Sequence, residues 1–180
     1  MKIILSILIF CSMLLADREG GPYIGIGYGL SSYDDDGIYK ERLDKDSTAS
    51  LLYAGAYINR HLSVELSYIN FNQGETYKVI NDSDETRSIS FSAIDVSTLA
   101  HYAFFDDILD FYAKVGVGNM KSDISSDGFC IVYGGGIALR FSKMWSMKIA
   151  YDRYRTDYDK GDLGKTIDLD VVYSAIEVQF

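Results

Sequence analysis

Apolar and polar residues alternate with a period of two along most of this chain. The last stretch shows it most plainly: Ile176, Val178 and Phe180 are apolar, and Ala175, Glu177 and Gln179 stand between them. That spacing belongs to a strand with one apolar and one polar face. Tyr23 to Leu30 places Ile24, Ile26, Tyr28 and Leu30 against glycines at 25, 27 and 29. Thr48 to Ile58 carries Leu52, Ala54, Ala56 and Ile58 on one face, and Leu62 to Tyr68 puts Glu65 on its polar face. Ile89 to Phe104 turns Ile94, Val96, Thr98, Ala100 and Tyr102 one way and Asp95, Ser97 and His101 the other. Asp110 to Asn119 opposes Phe111, Ala113, Val115 and Val117 to Tyr112, Lys114, Gly116 and Gly118. Phe129 to Phe141 sets Tyr133, Ile137, Leu139 and Phe141 against Gly134, Gly136, Ala138 and Arg140. From Trp145, Met147, Ile149 and Tyr151 share a face, with Lys148 and Asp152 opposite.

The pattern predicts eight strands joined by connections that alternate between long and short. Residues 31–47, 72–87, 120–128 and 155–165 are long and polar; 59–61, 105–108 and 142–144 are tight turns. An even number of antiparallel strands with both termini on the short-turn side is what an outer-membrane barrel requires. Each strand supplies the roughly 9–11 residues that a tilted crossing needs. The predicted fold is therefore all-β, an eight-stranded antiparallel up-and-down transmembrane β-barrel, its apolar face turned to lipid. Glycines on the inner face suit a narrow lumen that larger side chains from other strands must fill. Aromatics near strand ends (Tyr23, Tyr68, Phe71, Tyr102, Phe104, Phe111, Phe141, Trp145, Tyr151, Tyr154 and Phe180) read as interfacial girdles.

Composition narrows the classes. The 180 residues suffice for one domain, and 15 Tyr and 9 Phe with a single Pro argue against disorder. A formal charge of −9 disfavours nucleic acid, which needs an excess of Lys and Arg. Hydropathy that averages out to neutral fits alternating strands as well as it fits a soluble protein. Met1-Lys2 and the apolar run Ile3–Leu15 read as an export signal spanning 1–16, leaving the barrel at 17–180. Cys11 falls within that signal, so Cys130 alone remains and an internal disulfide is excluded.

Four stretches resemble the OmpA-like transmembrane barrel family of small outer-membrane proteins and surface antigens. They are Val64-Glu65-Leu66-Ser67-Tyr68-Ile69-Asn70-Phe71, Ala93-Ile94-Asp95-Val96-Ser97, Tyr133-Gly134-Gly135-Gly136-Ile137 and Tyr151-Asp152-Arg153-Tyr154. The closing Tyr173, Ile176, Val178 and Phe180 resemble the family's C-terminal assembly signal. The resemblance covers the mature chain and implies a Gram-negative outer-membrane location, contact with lipid and lipopolysaccharide, and assembly by periplasmic chaperones and the barrel-assembly machinery. The peptidoglycan-binding domain of full-length members has no counterpart here, so their wall-tethering role is not expected.

Chemistry is expected in the lumen. Glu65, Asp95, Lys114, Arg140, Lys148, Asp152 and Glu177 face inward, with His101 and Tyr112 nearby in pattern. Such groups must pair, because an unpaired buried charge costs several kcal/mol. A salt-bridged plug is one reading; a low-conductance, porin-like path for small ions is the alternative. A barrel-embedded lipid A-modifying enzyme would need a His-based site by the long loops, whereas His61 and His101 both map to the other end. An exported lipocalin-like carrier would need an apolar cavity, putting the charged face outside. Asp34-Asp35-Asp36 lacks the spacing of a calcium loop and reads as a solvated tip. No cofactor or metal is expected, and no catalytic residue. The expected role is structural or surface-interactive, as a monomer; the polar, acidic loop tips either offer a site for a host or phage ligand, as in surface-antigen relatives of the resembled family, or only stay hydrated.

Overall fold

The computed structural model describes residues 20–34, 46–71, 76–78, 86–88, 90–105, 107–122, 128–158 and 165–180. The expected export signal and the Asp35-Asp36 part of the acidic tip lie outside the described residues. Among the described residues ten strands are present: β1 (Gly21–Asp34), β2 (Asp46–Asn59), β3 (Leu62–Phe71), β4 (Thr76–Lys78), β5 (Thr86–Ser88), β6 (Phe91–Phe104), β7 (Leu109–Ser122), β8 (Gly128–Arg140), β9 (Trp145–Tyr158) and β10 (Lys165–Gln179). Eight of them close into a barrel in the order β1-β10-β9-β8-β7-β6-β3-β2, every neighbour antiparallel. The remaining pair, β4 and β5, forms a separate hairpin within the long connection between β3 and β6.

Closure happens at the seam between the first and last strands. β1 pairs with β10 from Tyr23↔Gln179 to Asp34↔Asp168. Phe180 N–H donates to Pro22 O at 2.9 Å, so the ladder runs to the last residue. Closure leaves no edge with unpaired backbone groups, the condition for a sheet to sit in lipid.

The alternation read from the sequence is an inside–outside alternation, inverted relative to a soluble protein. Ile26, Leu30, Tyr102, Val115 and Ile149 are about 60 % exposed on the outer wall, while Glu65, Asp95, Lys114, Lys148, Asp152 and Glu177 are buried in the lumen. A lipocalin-like arrangement would place these two sets the other way round. The glycines do what a narrow lumen needs. A Cβ on Gly25 would lie 2.2 Å from the ring of Tyr53, its partner on β2, so the absent side chain makes room for that ring. A Cβ on Gly29 would lie 2.1 Å from the carbonyl oxygen of Val172, so there the close approach is to backbone of the closing strand.

Two expectations need correction. The strands run further than the alternation suggested: β1 reaches Asp34, β7 reaches Ser122 and β9 continues to Tyr158. Among the described side chains, Ser32, Lys121 and Arg155 are exposed on the outer wall there, so the apolar contrast fades while the ladder persists. The girdle reading fails for three aromatics: Tyr23, Phe71 and Tyr154 are 2 %, 1 % and 0 % exposed and point into the lumen. Each shares the parity of inward neighbours on its strand, and parity, not closeness to a strand end, decides the side. Tyr68, Tyr102, Phe104, Phe111, Phe141, Trp145 and Tyr151 do face outward.

Three tight turns link the strands at the end where the termini lie, called here the turn end. Asn59 Oδ1 accepts from His61 N–H at 2.8 Å, and Ser142 Oγ accepts from the N–H groups of Met144 (3.2 Å) and Trp145 (3.1 Å). The middle turn is different: Phe105 and Asp107 take left-handed backbone conformations, φ 53° and 71°. The opposite end, with the long connections, is the loop end.

Candidate functional site

The lumen is stacked in layers, each built from inward positions on several strands. At mid-height Lys114 on β7 extends its ammonium among three carboxylates: Asp152 Oδ2 at 3.2 Å, Glu65 Oε1 at 3.3 Å and Asp95 Oδ1 at 3.8 Å. Its side chain is fully buried. Hydroxyls add to the shell, although Asp152 Oδ1 is buried without a hydrogen bond. Ser67, Ser97 and Tyr154 donate to Asp95 at 2.5, 2.6 and 3.2 Å, and Tyr173 donates to Asp152 at 3.1 Å. Each such bond lowers the cost of keeping the carboxylates buried and charged.

The next layer toward the turn end centres on Lys148 of β9. It pairs with Glu177 and lies 3.8 Å from Glu65 Oε2, so Glu65 links the two lysines. The rings of Tyr53, Tyr23 and Tyr112 surround the ammonium at 4.7, 5.0 and 5.3 Å from their centroids. A desolvated cation gains about 2 kcal/mol from such a ring. Glu177 also accepts from Tyr57 and Ser146, each at 3.4 Å. Of the three bases that could meet Glu177, Lys148 is the one in place.

Arg140 stands apart from both clusters. It is half-buried at the turn end and donates to Gln179 Oε1 at 2.6 Å. Beside it a cavity of about 10 Å³, lined by Tyr57, Asp107, Asp110, Ala138, Arg140 and Ser146, has room for one water. Asp110 is a fifth inward carboxylate that sequence reasoning passed over. It opens β7, and its parity with Tyr112 and Lys114 was the available signal.

Asp110 belongs to a third arrangement. His101 Nδ1 is 2.8 Å from Asp110 Oδ2 and His101 Nε2 is 2.8 Å from Ser63 Oγ. By distance this is the nucleophile–base–acid order of a hydrolase triad. By access it is not, because Ser63 is 0 % exposed and Tyr23 Oη lies 3.3 Å from its hydroxyl. The rings of Tyr57 and Tyr112 flank the imidazole at 5.1 and 5.8 Å. What the three residues do is tie β3, β6 and β7 together. Sequence spacing could not bring Ser63 and His101 together; strand pairing does.

Above the charged layers, toward the loop end, the inward side chains turn apolar. Leu51, Ile69, Phe71, Ala93, Met120, Cys130, Val132, Leu169 and Val171 are each at most 5 % exposed. Phe71 of β3 and Tyr154 of β9 meet edge to face at 5.7 Å. β3 and β9 are not neighbours in the sheet, so this contact crosses the bore. Among the described residues the lumen is thus charged in its turn-end half and mostly apolar in its loop-end half, where Ser31 and Thr156 are buried polar side chains.

A charged group sits on the outer wall beyond Trp145, Met147, Ile149 and Tyr151 of β9. Arg153 donates to Asp170 through Nε (2.5 Å) and Nη2 (2.7 Å), and Arg155 to Asp168 through Nε (2.8 Å) and Nη2 (2.7 Å). Both pairs are directly cross-strand. The Arg155 fork holds the Asp168 carboxyl below the usual aspartate range. Doubly bonded forks of this kind keep strand pairing intact where the wall leaves the hydrocarbon.

Comparison with known proteins agrees with this architecture. The family described as outer membrane protein beta-barrel domain matches residues 3–174. Sequence comparison with curated proteins finds no significant match. Among solved structures, Neisserial surface protein A superposes with a TM-score of 0.60 at 13% identity, covering 89% of this chain and 97% of that one. The attachment invasion locus protein Ail of Yersinia pestis gives 0.55 at 17% identity, covering 88% and 99%. The outer membrane protein OprG of Pseudomonas aeruginosa gives 0.59 at 13%, covering 92% and 98%. Ail has also been crystallised with the heparin analogue sucrose octasulfate.

Proposed function

This chain belongs to the outer-membrane β-barrel family and resides in the outer membrane, and we propose that it serves there as a closed, non-conducting scaffold that displays its long connections at the cell surface. In this reading the turn end faces the periplasm and the loop end faces outward. The observation that carries it is the apolar half of the lumen. Ions entering from the turn end meet fixed, mutually paired charges and then a buried layer of Leu51, Ile69, Phe71, Val132, Tyr154 and Val171. Moving a bare charge into such a layer costs many kcal/mol, and small eight-stranded barrels leave no room for hydrated ions. Residues 17–180 form one barrel, and periplasmic chaperones and the barrel-assembly machinery are its assembly partners.

No enzymatic step is assigned. Ser63, His101 and Asp110 have the spacing of a triad without an accessible nucleophile, and the role we give them is structural. The surface loops supply the interaction. By sequence each connection at the loop end holds more acidic than basic residues, for example Asp35, Asp36, Glu41 and Asp44 against Lys40, Arg42 and Lys45. A basic partner therefore suits this chain better than the sulfated ligand bound by Ail. Single-channel recording of the refolded protein in a planar bilayer tests the scaffold reading: silence at high salt and across pH is expected, and discrete conductance steps would overturn it.

A further inference from the structure

The three turns at the turn end are not alike. Two are polar, built around Arg60-His61 and Ser142-Lys143. The third carries Phe105 and Ile108 at its tip, 74% and 51% exposed. Phe105 also holds the left-handed backbone conformation that a bulky L-residue adopts at a cost, and Ile108 N–H donates back to its carbonyl at 3.2 Å to close the turn. In water that strain would be uncompensated: an exposed ring gains nothing, and Gly or Asn would hold the same turn without cost.

The ring is not isolated from the outer wall. Tyr102 touches Phe104 (4.7 Å between centroids), and Phe104 touches both Phe111 (5.7 Å) and Phe105 (6.4 Å). The lipid-facing wall of β6 and β7 thus runs without a break past the end of the strands and onto the turn. Within the same turn Asp107 lies 3.8 Å from Arg60 of the neighbouring polar turn. One side of the turn is therefore apolar and continuous with the wall; the other bears charge.

From this we infer that the Phe105–Ile108 turn is embedded in the lipid leaflet at the turn end, as a one-sided anchor at the level of the glycerol and upper acyl region. The other two turns stay in water. Apolar transfer of Phe105 and Ile108 offsets the backbone strain, and Asp107 with Arg60 stops the turn from sinking further. The anchor fixes the height of the barrel on the β6–β7 side.

The chain's single tryptophan makes the test direct. In a Trp145→Phe background, Phe105→Trp becomes the only indole, and Lys143→Trp in the same background reports a water-exposed turn. The full-length proteins are refolded into phosphatidylcholine vesicles and read by emission maximum, by quenching with acyl-brominated phosphatidylcholine and by quenching with acrylamide. The expected result is a blue-shifted Phe105→Trp, quenched by lipid brominated high on the chain, with an acrylamide quenching constant at least threefold below that of Lys143→Trp. Emission and acrylamide access equal to Lys143→Trp would overturn the inference, as they would if the turn instead docks a periplasmic protein. Should Phe105→Trp fail to refold, Ile108→Trp in the same background is read against the same two outcomes.

Discussion

Removing the ammonium of Lys114 is the sharpest perturbation of the lumen. At an effective dielectric constant near 20, a unit charge pair at 3.2 Å attracts by about 5 kcal/mol, and Lys114 has three such partners within 3.8 Å. Most of that is cancelled by the cost of desolvating the charges, so the net loss is set by what is left behind. Lys114→Ala leaves Glu65 with Lys148, but Asp95 and Asp152 keep only hydroxyl donors. Breaking a buried pair in this way costs about 3–5 kcal/mol. Lys143→Ala, on an exposed turn, should cost no more than about 0.5 kcal/mol. Reversible urea unfolding in lipid vesicles, followed by Trp145 fluorescence, measures both. Adding Asp152→Asn to Lys114→Ala removes one stranded charge, so the double variant should lose less than the sum of the singles. Equal losses for Lys114→Ala and Lys143→Ala, or strict additivity in the double variant, would refute the network.

Three further outcomes follow from other parts of the barrel. Gly29→Ala should lower refolding yield and stability far more than Gly27→Ala, because its Cβ meets backbone at 2.1 Å, against 3.2 Å for Gly27; urea midpoints of the pair decide it. Asp168→Asn removes a carboxylate whose folded pKa is depressed by Arg155, so its contribution, of at most about 1 kcal/mol at the surface, is full above about pH 4 and lost as pH falls through the lowered folded value. The stability gap between the native chain and this variant should accordingly hold from pH 7 to 5 and close in stronger acid, and a gap that widens on acidification would contradict the assignment. Deleting Phe180 removes the last ladder bond, to Pro22 O, and we propose that Tyr173, Ile176, Val178 and Phe180 guide assembly; the deletion should slow insertion into membranes more than it weakens the inserted barrel.

Parity made most of the barrel legible before any coordinates. Counting in twos from Glu65 or Lys114 identifies the lumen face, and the alternation of long and short polar stretches orders the strands. It failed where parity was set aside or had no contrast. Closeness to strand ends misplaces Tyr23, Phe71 and Tyr154, whereas parity places them and Asp110 on the lumen face. Near the loop end the chain is apolar on both faces, as in Phe129-Cys130-Ile131-Val132 and Val171-Val172. A two-letter pattern cannot say there which side meets lipid and which fills the bore. The apolar half of the lumen was invisible for that reason, while the charged half announced itself. The strand extension carrying Arg155 is hidden because its cross-strand pair with Asp168 replaces apolar contacts on the wall.

The two halves of the lumen depend on each other. An apolar layer at the loop end lowers the local dielectric, which raises the strength of each ion pair below it and the cost of leaving one unmet. The network in turn must be self-sufficient, and its two lysines do that by sharing Glu65. Opening the apolar layer would therefore act at a distance. Phe71→Ala removes the ring that meets Tyr154, and Tyr154 is also a donor to Asp95. Water admitted at that point would screen the Lys114 cluster as well as thin the barrier. Conductance should appear in this variant together with a smaller penalty for Lys114→Ala than in the native background, since screened carboxylates are cheaper to strand. A barrier that fell with no change in the lysine penalty would mean the two layers are independent.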